Sequence, residues 1–558
     1  MRPHPRAAIA LVLGGLAIGA ACFPIAEPND ANRAARADGV GEAVSPTARS
    51  PVRRPPTKAP TAASSTSKEP TAEAAVPVLP PAALTETYFK HYGINPTIDT
   101  EEEAFSSFAL DVDTASYTLA RAALERGEMP DESAIRIEEF LNAFDYDYPV
   151  PPVGEDFAVF TEVVPSPHRP GYHVLHVGLQ AREVEDKDRA PANLVFVIDV
   201  SSSMALESRL QLVQDSIRAM LPRLGVLDRV AIVSYGALAE VVLEPTAGSN
   251  ATAINAAVDR LVPGGSTDVD AGLRLGYELV AKNMIPFGIN RVMLFSDGVV
   301  TSGPSAAEDL LGHVAEAAAR GVTISTLGVG VENYDDVLLE QLADRGNGNY
   351  EYIDRLAEAE RVLVRNLTGT LQLVARDAKL QLEFDPAIVA RYRLLGYENR
   401  GLSTDAFASD ATDAGEIGPG HSVTALYEVQ LRDDLVRFGT VRLRYLLPST
   451  AVPRSLELPL LLDGVRPLDA RGTPPVRVAL VVAALAEKLR GSYWIRNVGW
   501  ADIQRWFSEL PPDIAARAEV AELGHLIEAA AAQDRRPASP DREFAGSPLE
   551  LDRMPVLQ

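Results

Sequence analysis

Oxygen-bearing side chains recur in three separate stretches of the sequence. They read Asp-Val-Ser-Ser-Ser over residues 199–203, Gly-Gly-Ser-Thr-Asp over residues 264–268, and Ser-Asp-Gly over residues 296–298. Carboxylate and hydroxyl oxygens at alternate positions suit a hard cation, whereas a phosphate cradle needs backbone amides freed by glycine. The residue types therefore favour a metal ion over a nucleotide.

The apolar runs that must position these stretches have the pattern of buried strands. Between about residues 191 and 371, short apolar runs alternate with amphipathic stretches of helical period, and the runs lie at residues 194–198, 230–233, 292–295 and 322–327. This alternation predicts a doubly wound, Rossmann-like α/β unit whose strands are buried on both faces. Since ligands bind outside the carboxyl ends of such strands, the three stretches are expected to meet at one edge of the sheet.

Asp-x-Ser-x-Ser, a loop threonine and a strand-ending Ser-Asp-Gly together resemble the metal-ion-dependent adhesion site of von Willebrand factor type A (VWA) domains. The resemblance implies that Ser201, Ser203 and Thr267 supply hydroxyl oxygens to the ion. It also implies that Asp199 and Asp297 supply carboxylates, which bind directly or through water. It also implies Mg²⁺, with Mn²⁺ or Ca²⁺ as alternatives, because hydroxyls and retained waters suit magnesium. Two carboxylates do not overneutralise the ion, so a free position can accept an Asp or Glu side chain from a protein partner.

Each stretch taken alone also fits ordinary structural chemistry. Asp and Ser are common in turns and helix caps, and Asp-Gly is a turn dipeptide. The three in register favour a metal site. The helix expected over residues 356–371 is the mobile piece in adhesion A domains, and a fixed connector into the next domain is an equal alternative here.

The amino terminus has the layout of a secretory signal. Arg2 and Arg6 precede an uncharged apolar stretch over residues 7–21, which ends in Gly-Ala-Ala before Cys22. A helix of this length spans ~22 Å, short of the ~30 Å hydrocarbon slab. Cys22 resembles the acylated cysteine of bacterial lipoproteins, which implies export and a lipid anchor in the cell envelope, in the outer membrane of a two-membrane cell. An ordinary secreted protein with an incidental cysteine is the alternative.

Composition limits the classes of partner and fold. The chain has 558 residues and a formal net charge of -25, which repels phosphate backbones, so no nucleic acid is expected. A single cysteine excludes both a disulfide framework and a zinc site with several thiolates. Residues 23–87 are rich in Pro, Ala, Thr and Ser and predict a disordered tether.

The pattern outside the α/β unit predicts a flanking domain built from both sides of the chain. Alternating apolar residues over 379–384, 423–429 and 441–446, with strands over 157–164 and 173–177, predict an antiparallel β-sandwich into which the VWA domain is inserted. The expected order is a signal peptide, the tether, an N-terminal VWA-associated extension, the VWA domain, a β-rich C-terminal domain, a helical cap and a loose tail, over residues 1–22, 23–87, 88–190, 191–371, 372–470, 471–535 and 536–558. The extension and the β-rich domain resemble those of a bacterial group of VWA lipoproteins.

Catalytic signals are weak, so a binding protein is favoured over an enzyme. None of the eight histidines stands at the i, i+4 spacing of a helical metal pair, and the serines lack a Gly-x-Ser-x-Gly elbow. A metal-assisted hydrolase remains the alternative, with Glu207, Asp268 and Asp270 as spare acids, of which the two aspartates are expected to cap a helix begun at Thr267. A purely structural metal is a third possibility. Asp111 and Asp113 invite a calcium interpretation, but turn and cap chemistry is favoured.

Overall fold

The computed structural model describes residues 89–298, 304–330, 336–365, 367–432, 437–461 and 472–536. The predicted signal peptide, the tether and Cys22 lie outside the described residues, as do residues 537–558 of the predicted tail. Within the described part of the chain, no helix combines the length and the apolar character needed to cross a bilayer.

The N-terminal extension contributes strands and short helices to other parts of the fold. Its elements are β1 (Ile98–Asp99), β2 (Phe105–Ala109), α1 (Ala115–Glu125), α2 (Ile137–Asn142), β3 (Phe157–Pro165) and β4 (His173–Ala181). The short helix α2 begins only at Ile137. Ile135 and Arg136 have extended backbone, and the Arg136 side chain forms buried ion pairs with Glu139 and Glu340.

Six strands and seven helices make up the described VWA domain. They are β5 (Ala192–Asp199), α3 (Arg209–Met220), β6 (Arg229–Tyr235), β7 (Ala239–Ala247), α4 (Ala251–Val258), α5 (Val269–Lys282), β8 (Ile289–Ser296), α6 (Pro304–Ala319), β9 (Thr323–Val329), α7 (Asp336–Arg345), β10 (Tyr350–Ile353), α8 (Leu356–Glu360) and α9 (Leu367–Leu371). The sheet order is β10-β9-β8-β5-β6-β7, with every pair parallel except β6 and β7.

The central strand β5 shows why the apolar runs predicted this sheet. Its residues Leu194, Phe196 and Ile198 pack into the core on one face, while Val195 and Val197 pack into the core on the other. A strand covered on both faces needs apolar residues at every position. The doubly wound α/β fold class is therefore confirmed.

The long helix expected over residues 356–371 is wrong as a single element. The structure has α8, then a π-helical turn over Arg361–Arg365, then the separate short helix α9. Gly369 in α9 lies against Pro419 and His421, where an added Cβ would approach the Pro419 carbonyl oxygen to 2.8 Å. The interrupted helix therefore packs closely against the following domain at Gly369.

Two antiparallel sheets flank the VWA domain. The elements after it are β11 (Ala375–Phe384), β12 (Val389–Leu395), β13 (Gly401–Leu402), α10 (Thr404–Ala408), β14 (Gly415–Ile417), β15 (Ser422–Leu431), β16 (Arg437–Leu446) and β17 (Pro453–Leu461). One sheet has the order β1-β12-β15-β4-β3, the other β13-β2-β11-β16-β17, and β14 pairs with β11. Since β4 precedes the VWA domain and its partner β15 follows it, the VWA domain is inserted in the sandwich, as the sequence predicted.

Helices close the C-terminal end. They are α11 (Pro474–Leu489), α12 (Trp500–Ser508), α13 (Pro512–Ala515) and α14 (Ala518–Gln533). Their apolar faces share one core with α2, in which Phe140, Val482 and Leu523 are buried. Arg536, the first residue of the predicted tail, forms an ion pair with Glu132 and donates to the Leu489 carbonyl oxygen.

Candidate metal centre

The end of β5 supplies the first group of predicted ligands. Asp199 is the last residue of the strand and is fully buried. Its Oδ1 accepts a hydrogen bond from the Ser201 backbone N–H at 2.7 Å, and its Oδ2 accepts one from Ser296 Oγ at 3.2 Å. Ser201 Oγ lies 2.9 Å from Ser203 Oγ. The carboxylate and both hydroxyls therefore form one connected set.

Asp297 joins this set from the neighbouring strand. It follows β8, which pairs in parallel with β5, so both strands end at the same edge of the sheet. Ser203 Oγ donates to Asp297 Oδ1 at 3.0 Å. The structure thus brings Asp199, Ser201, Ser203 and Asp297 together, although the last is distant in sequence.

Backbone hydrogen bonds hold the Thr267 loop against the same edge. The Gly264 N–H donates to the Val200 carbonyl at 2.6 Å, and the Ser202 N–H donates to the Gly265 carbonyl at 3.1 Å. Gly265 has φ +91°, and a Cβ there would lie 3.2 Å from the Ala237 nitrogen, so glycine is required. Thr267 is half-buried two residues beyond this contact.

Each of the three spare acids has a partner in the structure. Asp268 caps α5 by accepting from the Ala271 N–H at 3.1 Å, as predicted, although the helix begins at Val269 rather than at Thr267. Asp270 pairs with Arg274 at 2.8 Å. Glu207 is mostly exposed, and its carboxylate lies 3.4 Å from Arg209.

Arg209 is a member of this site that the sequence analysis missed. Its Nη1 donates to Asp297 Oδ2 at 2.9 Å, and both side chains are buried. Gly330, with φ +80°, makes room for the guanidinium, since a Cβ there would lie 2.2 Å from Arg209 Nε. One feature of the sequence could have indicated this role. A basic residue at the first position of a helix is unfavourable beside the positive end of the helix dipole, which suggests that its charge is paired with an acid elsewhere.

Burial dominates the electrostatics of the ligand set. It raises the pKa of Asp199 to about 6; hydrogen bonds from Ser201 and Ser296 oppose this shift, and the nearby Asp297 charge adds to it. Asp199 and Asp297 bring two formal negative charges to this group, and Arg209 and the exposed Glu207 beside it bring one charge of each sign. A divalent cation would neutralise the excess negative charge.

Asp111 and Asp113 prove to be part of an ion-pair network rather than a helix cap. The turn is present, since the Asp113 N–H donates to Asp111 Oδ1 at 2.9 Å. Asp113 Oδ1 accepts from the Tyr350 N–H at 3.0 Å, and Arg400 Nη2 lies 3.3 Å from Asp111. The predicted cap is wrong, because the Ser116 N–H in the first turn of α1 donates to Glu139 instead.

Comparisons with known proteins agree with this fold. The family model described as "von Willebrand factor type A domain" matches residues 193–363, that described as "von Willebrand factor" matches residues 83–176, and that described as "Uncharacterized protein YfbK, C-terminal" matches residues 369–438. The "Uncharacterized protein YfbK" of Escherichia coli (strain K12) is 35% identical over 445 residues, which cover 75% of this chain and 76% of that protein. The chain therefore belongs to the family of bacterial VWA proteins that includes YfbK.

Further relatives are more distant. The "Uncharacterized protein sll0103" of Synechocystis sp. is 27% identical over 294 residues, covering 51% of this chain and 69% of that protein. Among solved structures, the von Willebrand factor type A protein from Catenulispora acidiphila is 16% identical, with a TM-score of 0.40, covering 69% of this chain and 91% of that one. VWA domains commonly mediate adhesion or protein–protein interaction and often bind a divalent metal.

Proposed function

We propose that the edge formed by Asp199, Ser201, Ser203, Thr267 and Asp297 binds one Mg²⁺, and that the ion takes a carboxylate from a protein partner. One observation carries this proposal. Ser203 Oγ lies 2.9 Å from Ser201 Oγ and 3.0 Å from Asp297 Oδ1, so three oxygens from two strand ends are already in ligand-like contact.

These separations are hydrogen-bond lengths, and they also equal the spacing of adjacent ligands around magnesium. Adjacent ligands of an octahedral ion with bonds of about 2.1 Å stand about 3.0 Å apart, whereas bonds of about 2.4 Å place them about 3.4 Å apart. The hydroxyl and carboxylate oxygens therefore need little movement to accept Mg²⁺. Thr267 would complete the protein ligands from its loop, and waters would fill the remaining positions.

Arg209 adjusts the charge of the loaded site. Two carboxylates alone would neutralise a divalent ion, and the buried guanidinium beside Asp297 adds a positive charge, which the mostly exposed Glu207 at 3.4 Å offsets only in part because water screens its charge. A partner carboxylate is then attracted, even though the whole chain carries -25, because charges beyond about 8–10 Å are screened at physiological salt.

Exposed apolar side chains border the edge. Leu206, Leu238 and Val262 are 47%, 83% and 70% exposed, on loops that follow β5, follow β6 and precede α5. Apolar residues on three loops around one ion favour a partner segment whose acidic residue is flanked by apolar side chains. The proposed ligand is thus an apolar segment with one Asp or Glu.

Selection of peptides tests this function. A random peptide library is panned on the full chain in Mg²⁺ and eluted with EDTA, and the enriched peptides are resynthesised with Asp→Asn or Glu→Gln. Acidic peptides that lose binding after amidation, after EDTA or in Ser203→Ala support the proposal. Peptides that lack an acid, or that stay bound while EDTA only lowers the melting temperature, contradict it.

We further propose that Cys22 carries a lipid that holds the protein in the cell envelope. The support is the sequence layout of a basic start, an apolar centre and small residues before a lone cysteine. Metabolic labelling with a fatty acid tests the anchor: label in the wild type and none in Cys22→Ala is expected. Label retained in Cys22→Ala contradicts it.

The acidic residues near the Asp199 edge give little support to a hydrolase. Asp268 is occupied as a helix cap and Asp270 as an ion-pair partner, which removes two of the three candidate general bases. Proteins of this type are mostly non-enzymatic.

A further inference from the structure

Three acidic side chains converge in the C-terminal β-rich domain, on elements that take no part in the Asp199 edge. One carboxylate oxygen each from Asp377, Asp413 and Glu416 lies within 4.8 Å of the others. Asp377 is half-buried, Asp413 is exposed and Glu416 is buried. These three residues are called the Asp377 cluster below.

The backbone fixes the positions of two members. Asp377 sits in a bulge of β11, between the pairs Ala375–Ile417 and Ala378–Gly415, with a left-handed φ of +51°. The Ala414 N–H donates to Asp377 Oδ1 at 3.3 Å. The bulge on β11 and the short strand β14 therefore present their carboxylates to each other.

Glu416 distinguishes this cluster from a group of solvated surface acids. Its side chain is only 6% exposed, and its Oε1 is buried without a hydrogen-bond partner. The charges of Arg376 and Arg291 act on Glu416, yet neither guanidinium satisfies this oxygen. A buried carboxylate with an unpartnered oxygen is unfavourable unless a positive ion or a proton neutralises it.

We propose that Asp377, Asp413 and Glu416 form a binding site for a divalent cation, with Ca²⁺ as the preferred ion. Calcium takes six to eight oxygen ligands with flexible geometry, and its opposite ligands stand about 4.6–5.2 Å apart. Carboxylate oxygens within 4.8 Å of one another can all reach one such ion. The exposed side at Asp413 leaves room for water ligands.

A cation bound at the Asp377 cluster would stabilise the connection between the VWA domain and the β-sandwich. The Val374 N–H donates to the Ile417 carbonyl at 2.7 Å, and Gly418 lies so close to α9 that a Cβ would approach the Gly369 carbonyl oxygen to 1.9 Å. The strand that carries Glu416 thus touches both the last VWA helix and the start of β11. This site is independent of the function proposed above.

Calcium binding in excess magnesium tests the proposal, because magnesium would occupy the separate site that is proposed at the Asp199 edge. The full chain is stripped with EDTA, returned to Mg²⁺ and dialysed against ⁴⁵Ca²⁺. About one Ca²⁺ per chain and a rise in melting temperature are expected for the wild type. Glu416→Gln is expected to weaken Ca²⁺ binding by more than about tenfold, while raising the melting temperature of the calcium-free protein because it removes a buried acidic group that has an unpartnered oxygen.

Two further variants separate a loss of Ca²⁺ binding from a general effect on folding. Asp413→Asn changes an exposed ligand, so it tests binding even if Glu416→Gln folds poorly, and the same loss is expected. Asp410→Asn is the matched control, since Asp410 lies in the same segment but pairs with Arg444 at 2.7 Å; it should bind Ca²⁺ as the wild type does. No Ca²⁺ uptake by the wild type, wild-type binding in Asp413→Asn, or equal loss in Asp410→Asn would overturn the proposal.

Discussion

The carboxylate of Asp297 is divided between two partners, with Arg209 Nη1 on Oδ2 at 2.9 Å and Ser203 Oγ on Oδ1 at 3.0 Å. Because the guanidinium occupies Oδ2, only Oδ1 faces the other ligands of the proposed metal. Asp297 can therefore serve the ion through one oxygen, directly or through water, but not as a bidentate ligand. Arg209 and the proposed metal ion would therefore share one buried carboxylate, that of Asp297.

Replacement of Arg209 should make folding depend on the metal. In Arg209→Met, Asp297 loses its buried partner, which destabilises the metal-free protein by about 3–5 kcal/mol. Mg²⁺ should restore much of this loss and bind more tightly than in the wild type, because no guanidinium competes. Urea denaturation in EDTA and in Mg²⁺ measures both effects.

The control for this experiment is Arg218→Met, in the same helix. Arg218 pairs with Asp215 and Asp259 at the surface, where ion pairs contribute little, so its replacement should change stability by less than about 1 kcal/mol in either buffer. An Arg209→Met protein that is equally unstable with and without Mg²⁺ would show that Asp297 has no metal role.

Arg121 should be essential to the packing of the extension on the VWA domain. From α1 it pairs with Asp354 at 2.6 Å, with Glu358 of α8 at 2.9 Å and with Glu522 of α14 at 3.2 Å. Arg121→Ala leaves buried carboxylates unpaired, so a loss of about 3–5 kcal/mol in the free energy of unfolding is expected. Denaturation of the exposed control Arg320→Ala should match the wild type; an unchanged Arg121→Ala would refute the network's role.

Acid should destabilise the fold through His176. Burial lowers the pKa of this side chain from 6.5 to about 3, in a site where its Nε2 lies 2.7 Å from the Tyr148 hydroxyl and Glu162 is its neighbour on β3. As pH falls from about 6.5, the unfolded chain binds a proton that the folded chain does not. Stability therefore falls by about 1.4 kcal/mol per pH unit from this group.

His176→Phe should remove that dependence while keeping an aromatic ring in the cluster. Between pH 6.5 and 5, the wild type is expected to lose about 2 kcal/mol more than the variant does. Urea denaturation at both pH values gives the difference, with the exposed His91→Ala as a control that follows the wild type. Parallel pH profiles for wild type and His176→Phe would contradict this assignment.

The parts of the fold that follow from local pattern were predictable. A strand buried on both faces must be apolar throughout, so β5 and β8 were visible as the runs before Asp199 and Ser296. Their parallel pairing then places Asp199 and Asp297 at one edge. The edge strand β7 was missed because its residues are mostly half-exposed and give no clear alternation.

The contacts that depend on distant residues could not be read from the sequence. Tertiary packing brings Arg209 to Asp297 and Ser116 to Glu139, which are distant in sequence. It also buries Glu416. Neither periodicity nor spacing carries that information. Asp113 is an example of what sequence patterns miss. Its position just before α1 fits a helix cap, but its side chain accepts a hydrogen bond from the Tyr350 backbone N–H.

Binding of Mn²⁺ to the wild type and to Asp199→Asn, followed by electron paramagnetic resonance, tests the metal site most directly. Asp268→Asn serves as the control, because Asp268 lies at the same edge but caps α5. The difference between chains isolates this site from the Asp377 cluster, which all three retain. We predict that Asp199→Asn binds about one Mn²⁺ fewer per chain than the wild type, that Mg²⁺ displaces this ion, and that Asp268→Asn keeps it; equal Mn²⁺ binding by the wild type and Asp199→Asn would contradict the account.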